Sequence, residues 1–204
     1  MTTITKSITN PITWNEIKEA IAAGKAKELL AVGDYISVML KDGTHMRIAV
    51  AGIDHYNENE VIFAFKDIMP NEKPMNAEYT NRGGYEASDM RTYLNEELFA
   101  LLPDDLQEVI KERRGDKLWL FSRREVFGED SMDYRYKSPE DDKQLPYYED
   151  MANRVKLRNG DTDWWWLASP NSANTTNFCC VNLNGLSSHH YASDSSGVAP
   201  GFCI

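Results

Sequence analysis

Apolar positions near the amino terminus recur at helical spacing. Thr13 and Glu16 match a capping box, in which each side chain satisfies a backbone donor at a helix start. Ile17 and Ile21 then fall on one face, and Gly24 is suited to ending the helix. The pattern predicts a short amphipathic helix that packs on the rest of the chain or serves as an attachment element.

The apolar spacing changes to alternation further along the chain. Tyr35 to Leu40 is a strand-like run, and Asp42-Gly43 suits a tight hairpin turn. Met46 to Val50 alternates apolar with polar or small residues, and Val61 to Phe65 is a third strand-like run. These runs predict a three-stranded antiparallel meander.

Two helical patterns follow a loop between Met69 and Gly84. One begins at Ser88 and repeats apolar residues every three or four positions. The second begins at Pro103, because proline and the acids after it suit the first helical turn. Lys117 to Phe121 then predicts a strand, and Ser122 to Gly128 a turn with a short helical piece.

The order of these elements predicts the fold class. Strands, then two helices, then more strands are typical of an α+β fold with antiparallel sheets and two main helices grouped against them. Glu129 to Asp150 is charged and rich in Pro and Tyr, and it is interpreted as a long, mobile surface excursion.

The composition changes after Asp163. Trp164-Trp165-Trp166-Leu167 is too aromatic to be exposed on both faces, so at least two rings are predicted to be buried. Three exposed, coplanar indoles would instead indicate a carbohydrate-stacking platform. No Lys, Arg, Glu or Gln occurs from Asn171 to the end, although charged residues make up 26% of the chain. Small polar side chains replace them.

Regular apolar positions within this carboxy-terminal segment argue against disorder. Asn184-Gly185 suits a two-residue hairpin turn, whose central residues both need positive φ. Phe178 to Leu183 and Leu186 to Ala192 are therefore predicted to pair as strands. The apolar tail from Val198 to Ile204 is predicted to tuck into a sheet.

Charge and composition narrow the possible partners. The chain has 22 Lys and Arg against 32 Asp and Glu, and the net charge of −10 repels a phosphate backbone. No run approaches the ~18 apolar residues of a membrane span, and Met1 to Asn10 lacks the apolar core of a secretory signal. We therefore expect no nucleic-acid partner, no membrane insertion, and synthesis in the cytoplasm without a signal peptide. Cys179, Cys180 and Cys203 do not form an even disulfide set and are predicted to be buried, reduced thiols.

Paired motifs in the second half resemble a known family. Trp165 to Pro170, followed by Gly197 to Phe202, is similar to the W-W-L-R-S-P and G-V-R-P-A-F pair of an uncharacterised domain family common in gut bacteria and their phages. Lys117 to Ser122, with Glu125 to Gly128, is similar to the family's middle motif. Alanines at 168 and 199 stand where the common form has arginine. The likeness covers most of the chain beyond residue 30.

The resemblance implies a C-type-lectin-like fold, which is shared by formylglycine-generating enzymes and the variable proteins of diversity-generating retroelements. It implies a domain over residues 31–204 with a display segment over 164–204, after an attachment segment over 1–30. In such variable proteins a carboxy-terminal cassette is mutated at adenines, chiefly in Asn codons, which yields small polar residues, Tyr and His but never Lys, Glu or Gln. The composition of residues 171–196 fits that restriction.

The sequence therefore predicts a non-enzymatic receptor-recognition protein, encoded by a phage or prophage and associated with the virion. The expected partner is a cell-surface protein or glycan of a host or neighbouring cell, with phage tail proteins as further partners, and no cofactor or metal is expected. The predicted ligand-contacting residues all lie in the carboxy-terminal segment and are Asn171, Ser172, Asn174, Thr175, Thr176, Cys180, Leu183, Leu186, Ser188, His189, His190, Tyr191, Ser193, Asp194, Ser195 and Ser196.

Other interpretations of the same residues stay open. The polar residues also suit ordinary turns and edge strands. A formylglycine-generating-type or other cysteine-dependent enzyme would use one of the three cysteines with His189 or His190 as base. Zinc is disfavoured because adjacent strand residues point to opposite faces, and calcium because Asp194 is the segment's one acid.

Overall fold

The computed structural model describes residues 12–130 and 133–204, and its helices are short. The α-helices are α1 Trp14–Ala22, α2 Ala26–Leu29, α3 Asp89–Thr92, α4 Phe99–Leu101, α5 Asp104–Gln107, α6 Arg123–Phe127 and α7 Pro146–Glu149. A π-helix, Tyr93–Leu98, joins α3 to α4, and 3-10 turns occur at Tyr85–Ala87, Asp133–Arg135 and Met151–Arg154. Within these ranges, no helix has the length and apolar character that crossing a bilayer requires.

The strands form antiparallel sheets. They are β1 Tyr35–Met39, β2 His45–Ile53, β3 Val61–Phe65, β4 Lys156–Arg158, β5 Asp161–Asp163, β6 Trp165–Pro170, β7 Asn177–Val181, β8 Ser187–Tyr191 and β9 Gly201–Cys203. One sheet has the order β1-β2-β3-β9, another the order β6-β7-β8, and β4 pairs with β5. Every one of these strand pairs is antiparallel. The predicted α+β class and the amino-terminal meander are confirmed.

The carboxy-terminal strand completes the larger sheet. β3 is buried at all five positions, and β9 pairs with it from Ile62–Cys203 to Ala64–Gly201. Glycine is required at 201, because an added Cβ would lie 2.2 Å from Phe121 Cζ. The predicted burial of the apolar tail is confirmed.

Helix α1 packs on this sheet. The predicted capping box at its start is present. The Trp14 ring makes edge contacts with Phe63 at 5.6 Å and Phe202 at 6.1 Å between ring centroids. The described part of the predicted attachment segment therefore belongs to the same core as the rest of the chain. Residues 1–11 of that segment lie outside the described residues.

The helix predicted from Pro103 is one turn long. α5 ends at Gln107, and the chain then reverses so that Lys111 bridges to Cys203. The branched pair Val109-Ile110 favours this irregular continuation, because β-branched side chains lose rotamer freedom in a helix. Both residues are buried.

The strand predicted over residues 117–121 does not form a ladder. These residues are largely buried, and among the described residues Trp119 makes a single isolated bridge to Gly201. The carbonyl of Phe121 instead accepts a hydrogen bond from the Ala168 N–H at 2.9 Å, which ties this segment to β6.

The charged stretch from Glu129 to Asp150 is anchored to the core. Tyr147 and Tyr148 of α7 are buried, and the Tyr148 ring lies 5.4 Å from that of Phe121 and 6.0 Å from that of Trp165. The interpretation of this stretch as a surface excursion fits its exposed residues, but it is wrong for Tyr136, Leu145, Tyr147 and Tyr148, which are buried.

The aromatic run enters β6, which is one edge strand of the three-stranded sheet. Trp165 and Trp166 are fully buried, and their indole N–H groups donate to the carbonyls of Arg154 at 2.9 Å and Lys73 at 2.8 Å. Trp164 is half-buried. The prediction that at least two rings are buried is confirmed, and an exposed platform of three indoles is excluded.

β7 and β8 form the predicted hairpin with a different turn. Gly185 has a φ of +76°, but Asn184 does not have the positive φ that a two-residue turn requires. The Asn182 side chain accepts hydrogen bonds from the N–H groups of Asn184 and Leu186 and so stabilises a longer turn. The predicted turn type is therefore wrong.

Candidate functional site

Strand β8 carries much of the polar segment and lies at the edge of its sheet. We call residues 182–195, which comprise β8 and the turns on either side, the display edge. β7 is buried at every position, whereas each residue of β8 is half-buried or exposed. The central strand therefore provides a packed frame for a neighbour whose side chains reach the surface.

Side chains of β8 alternate between the two sides of the sheet. His190 points to one side, where its ring stacks on Trp164 with centroids 4.5 Å apart. Tyr191 and His189 point to the other side, where the Tyr191 ring lies 4.6 Å from that of Tyr79. Both histidines and Tyr191 were predicted to share one ligand-contacting face, and this is wrong because adjacent strand residues alternate. The accessible surface is instead the rim of the sheet.

The two histidines of β8 differ in environment. Burial lowers the pKa of His190, so its ring is neutral near pH 7. His189 is exposed, and its Nδ1 lies 3.4 Å from the hydroxyl of Tyr136. One side of the rim therefore presents a neutral, stacked imidazole, and the other an accessible one.

The cysteines lie in the frame. Cys179, Cys180 and Cys203 are all buried and free. Burial raises the pKa of Cys179 to about 12, that of Cys203 to about 11 and that of Cys180 well above its usual value. Cys180 was predicted to contact a ligand, but burial in the central strand puts it out of reach. Cys179 lies opposite His189, yet no group of three or more His, Cys, Asp or Glu within the described ranges could hold a metal ion.

The other predicted ligand-contacting residues separate into two groups. The exposed or half-buried residues on or next to the display edge are Thr176, Leu183, Leu186, Ser188, His189, His190, Tyr191, Ser193, Asp194 and Ser195. Four others, Asn171, Ser172, Asn174 and Thr175, line a cleft on the adjoining surface. Ser196 is buried and bridges to Lys73, so it belongs to neither group.

One asparagine shapes the loop between these two surfaces. Nδ2 of the buried Asn81 lies 3.1, 3.0 and 2.7 Å from the carbonyl oxygens of Asn171, Asn174 and Asn177. Asn174 Oδ1 accepts hydrogen bonds from the N–H groups of Thr176 and Asn177. Side-chain amides therefore fix the loop, and the wall that it gives to the cleft is preformed.

The cleft has a volume of about 640 Å³, within the range of small-molecule sites. Four stretches line it, at 81–91, 113–125, 137–142 and 168–175. Sequence reasoning missed this site because residues far apart in the chain converge on it. The basic stretch at 111–114 contains two residues of the cleft, but a run of charged residues does not by itself indicate a pocket.

Buried ion pairs form part of the cleft wall. Arg113 donates to Glu125 at 2.8 Å and to Asp142 at 3.2 Å, and Arg114 donates to the same Asp142 oxygen at 2.9 Å. Burial opposes the charge of Arg113, but the neighbouring carboxylates outweigh it and raise the Arg113 pKa. Burial raises the pKa of Glu125, and Arg113 opposes that shift.

Two buried polar atoms in this wall are unsatisfied. Asp142 Oδ2 and Trp119 Nε1 have no hydrogen-bond partner in the part of the chain that the structure describes. Asp142 is 3% exposed and Trp119 is 5% exposed, and both residues line the cleft. A buried polar group without a partner costs on the order of 1–3 kcal/mol, so these atoms favour an occupant that can pair with them.

Comparison with family models identifies one match. The model for a Domain of unknown function (DUF6273) matches residues 59–204. The chain belongs to the DUF6273 family. No curated protein and no solved structure matches this DUF6273 chain.

The DUF6273 match runs from just before β3 through β9 and includes both the cleft and the display edge. Helix α1 and strands β1 and β2 precede the matched region but share its core. Ala168 of the W-W-L-A-S-P motif lines the cleft of this DUF6273 chain.

Proposed function

We propose that this DUF6273 protein is a non-enzymatic ligand-binding protein whose display edge recognises a protein or glycan on a host or neighbouring cell. The observation that carries the proposal is the contrast between β7, which is buried throughout, and β8, which brings Ser, His and Tyr side chains to the surface. A packed frame beside an adaptable rim is the arrangement that a recognition surface requires.

The side chains of the display edge suit recognition physically. Short polar residues adapt their hydrogen bonds at little entropic cost, and Tyr191 offers a large contact area with few rotors. Leu183 and Leu186 are 42% and 51% exposed, which adds apolar area at the hairpin turn. Long charged side chains, which lose more rotamer entropy on binding, do not occur from Asn171 onward.

The finer assignments belong to the same proposal. A C-type-lectin-like fold, a diversity-generating retroelement as the source of variation, and a phage or prophage origin with attachment to tail proteins together account for the composition of residues 171–196. A search of the surrounding DNA for a reverse-transcriptase gene and a near-copy of the final coding segment tests the retroelement assignment. Their absence from the flanking DNA would contradict it.

The thiols support the non-enzymatic part of the proposal. A cysteine nucleophile needs access to substrate and a depressed pKa, whereas all three cysteines here are buried with raised pKa values. This environment weighs against the cysteine-dependent enzyme that the sequence left open.

A binding experiment with matched variants tests the display edge. The double variant His189→Ala/Tyr191→Ala removes two exposed rings, and the control His45→Ala/Tyr134→Ala removes two exposed rings elsewhere. Binding of the labelled full chain to a panel of intact gut bacteria is measured by flow cytometry, with unlabelled chain as competitor. We expect the first variant to lose saturable binding and the control to keep it.

Thermal melts of the same variants separate binding from folding. Exposed substitutions usually change stability by no more than ~0.5 kcal/mol, so both double variants should melt near the native chain. Phe202→Ala in the frame should instead cost roughly 3–5 kcal/mol, because it leaves a cavity. The proposal fails if the display variant unfolds, or if it binds cells as well as the native chain does.

A further inference from the structure

Among the described atoms, the wall of the cleft has one unsatisfied acceptor and one unsatisfied donor, which favours a ligand that both donates and accepts hydrogen bonds. Asp142 Oδ1 accepts hydrogen bonds from Arg113 and Arg114, while Oδ2 of the same carboxylate has no hydrogen-bond partner among the described residues. An ionised carboxylate can only accept, and the indole N–H of Trp119 can only donate. An ammonium group could donate to Asp142 Oδ2 but could not accept from the Trp119 N–H. A carboxylate could accept from the Trp119 N–H but could not donate to Asp142 Oδ2. Hydroxyl groups satisfy both.

Two of the basic residues that line the cleft have no ion-pair partner among the described residues. Three of its five basic residues are paired, since Arg91 donates to Asp116 at 2.7 Å and Arg113 and Arg114 pair as described above. Arg82 and Lys137 are exposed, and their side chains make no ion pair or hydrogen bond with any described residue. The exposed carboxylate of Glu86 also lines the cleft, so the lining has five basic side chains against four acidic ones. This excess of one positive charge, in a chain of net charge −10, favours an anionic group in the cleft.

The rest of the lining favours a compact polar ligand over an aromatic one. The guanidinium of Arg113 already lies over the Trp119 ring, 5.1 Å from its centroid, so that face is not free for stacking. Serine and asparagine residues make up much of the remaining lining. The cleft volume of about 640 Å³ accommodates a single sugar ring.

We propose that the cleft binds a small polyhydroxylated acid of the sugar-acid class. Its hydroxyls pair with Asp142 Oδ2 and Trp119 Nε1 once these two buried atoms turn toward the cleft, and its carboxylate lies near Arg82 and Lys137. This site goes beyond the proposed recognition surface, because the atoms that define it lie outside the display edge.

Isothermal titration of the full chain with glucuronate tests the inference directly. Glucose has the hydroxyls without the charge, and acetate has the charge without the hydroxyls. We expect saturable binding of glucuronate, with glucose and acetate each at least about tenfold weaker, the equivalent of losing one hydrogen bond to a charged group. No saturable binding of glucuronate at millimolar concentration, or equal binding of acetate, overturns the proposal. So does preferential binding of glucose 6-phosphate, which would make the site one for phosphate esters.

Variants locate the binding within the cleft. Arg82→Gln/Lys137→Gln removes the free cations from exposed positions, and Trp119→Phe removes the indole N–H while keeping an aromatic ring. Each should weaken glucuronate binding about tenfold. Lys18→Gln, an exposed lysine on α1, serves as the charge control and should bind like the native chain. Unchanged affinity in the double variant overturns the proposed position of the carboxylate, whatever Trp119→Phe does to folding.

The display-edge variants separate the two proposals. His189→Ala/Tyr191→Ala should retain glucuronate binding even where it loses cell binding. Loss of glucuronate binding in that variant, with the cleft variants unaffected, would place the sugar-acid site on the display edge and refute the cleft assignment.

Discussion

Lys156 should make the stability of this protein depend on pH. The residue is 1% exposed, and its ammonium donates to the carbonyl of Phe65 and lies 5.5 Å and 4.9 Å from the ring centroids of Tyr148 and Trp165. No carboxylate within the described residues forms an ion pair with it. Burial, with a smaller contribution from the charge of Lys66, lowers the Lys156 pKa to about 7.

The size and sign of the effect follow from that shift. An unfolded lysine has a pKa of about 10.4, so between about pH 7 and pH 10.4 the unfolded chain holds a proton that the folded chain has released. The contribution of Lys156 to the free energy of unfolding should therefore rise with pH across this window and level off below it, where both states are protonated. A shift of roughly 3.5 pKa units at about 1.36 kcal/mol each amounts to about 5 kcal/mol in total, or about 1.4 kcal/mol per pH unit.

Urea unfolding at pH 7, 8 and 9, followed by tryptophan fluorescence, measures this slope as the difference between the native chain and a variant without the lysine. Lys156→Met keeps a long unbranched side chain and removes the titrating group. Its stability advantage over the native chain should shrink by about 2.3 kcal/mol between pH 7 and pH 9, because the slope reaches its full value only above the folded pKa of about 7. Lys25→Met, at an exposed position, should follow the native pH profile. Equal slopes for the native chain and Lys156→Met would refute the reasoning and show that the ammonium stays charged in the folded state.

Three further predictions concern packing, loop order and thiol chemistry. Gly201→Ala should destabilise the chain by at least about 3 kcal/mol in chemical denaturation, because its Cβ would overlap the Phe121 ring; native-like stability would mean that the ring can move aside. Asn81→Ala should lower the free energy of unfolding by about 2 kcal/mol and increase amide hydrogen exchange across the 171–177 loop. Unchanged exchange would show that the loop keeps its conformation without the Asn81 hydrogen bonds. The three thiols should react with a disulfide reagent at pH 8 at the rate of global unfolding, and fast reaction of any of them would contradict burial.

Local periodicity was sufficient to predict a strand and its pairing where the partner strand is close in sequence. The meander over β1, β2 and β3 and the hairpin of β7 and β8 were predicted because alternation and turn residues report on contacts a few residues apart. The same reasoning misplaced Cys180, because alternation cannot distinguish an edge strand from a central strand covered on both sides. It also placed His189 and His190 on one face, although adjacent strand residues alternate.

The cleft could not be predicted from the sequence for a different reason. Arg113, Glu125 and Asp142 lie in three separate stretches of the sequence, and their pairing depends on a fold that brings distant stretches together. Composition drew attention to the carboxy-terminal segment, but only the structure shows that residues 171–175 face the cleft and not the display edge.

The pairing of β3 with β9 affects how the chain can fold during its synthesis. Ile62 lies opposite Cys203, so roughly 140 residues must be synthesised between the two strands. At ~5–20 residues per second, the ribosome needs on the order of 7 to 30 s to supply the partner. Throughout that interval the apolar run Val61–Phe65 has an unpaired edge, which is the geometry that promotes intermolecular association. Cellular yield should therefore depend on chaperone access to the nascent chain more than on the stability of the finished fold.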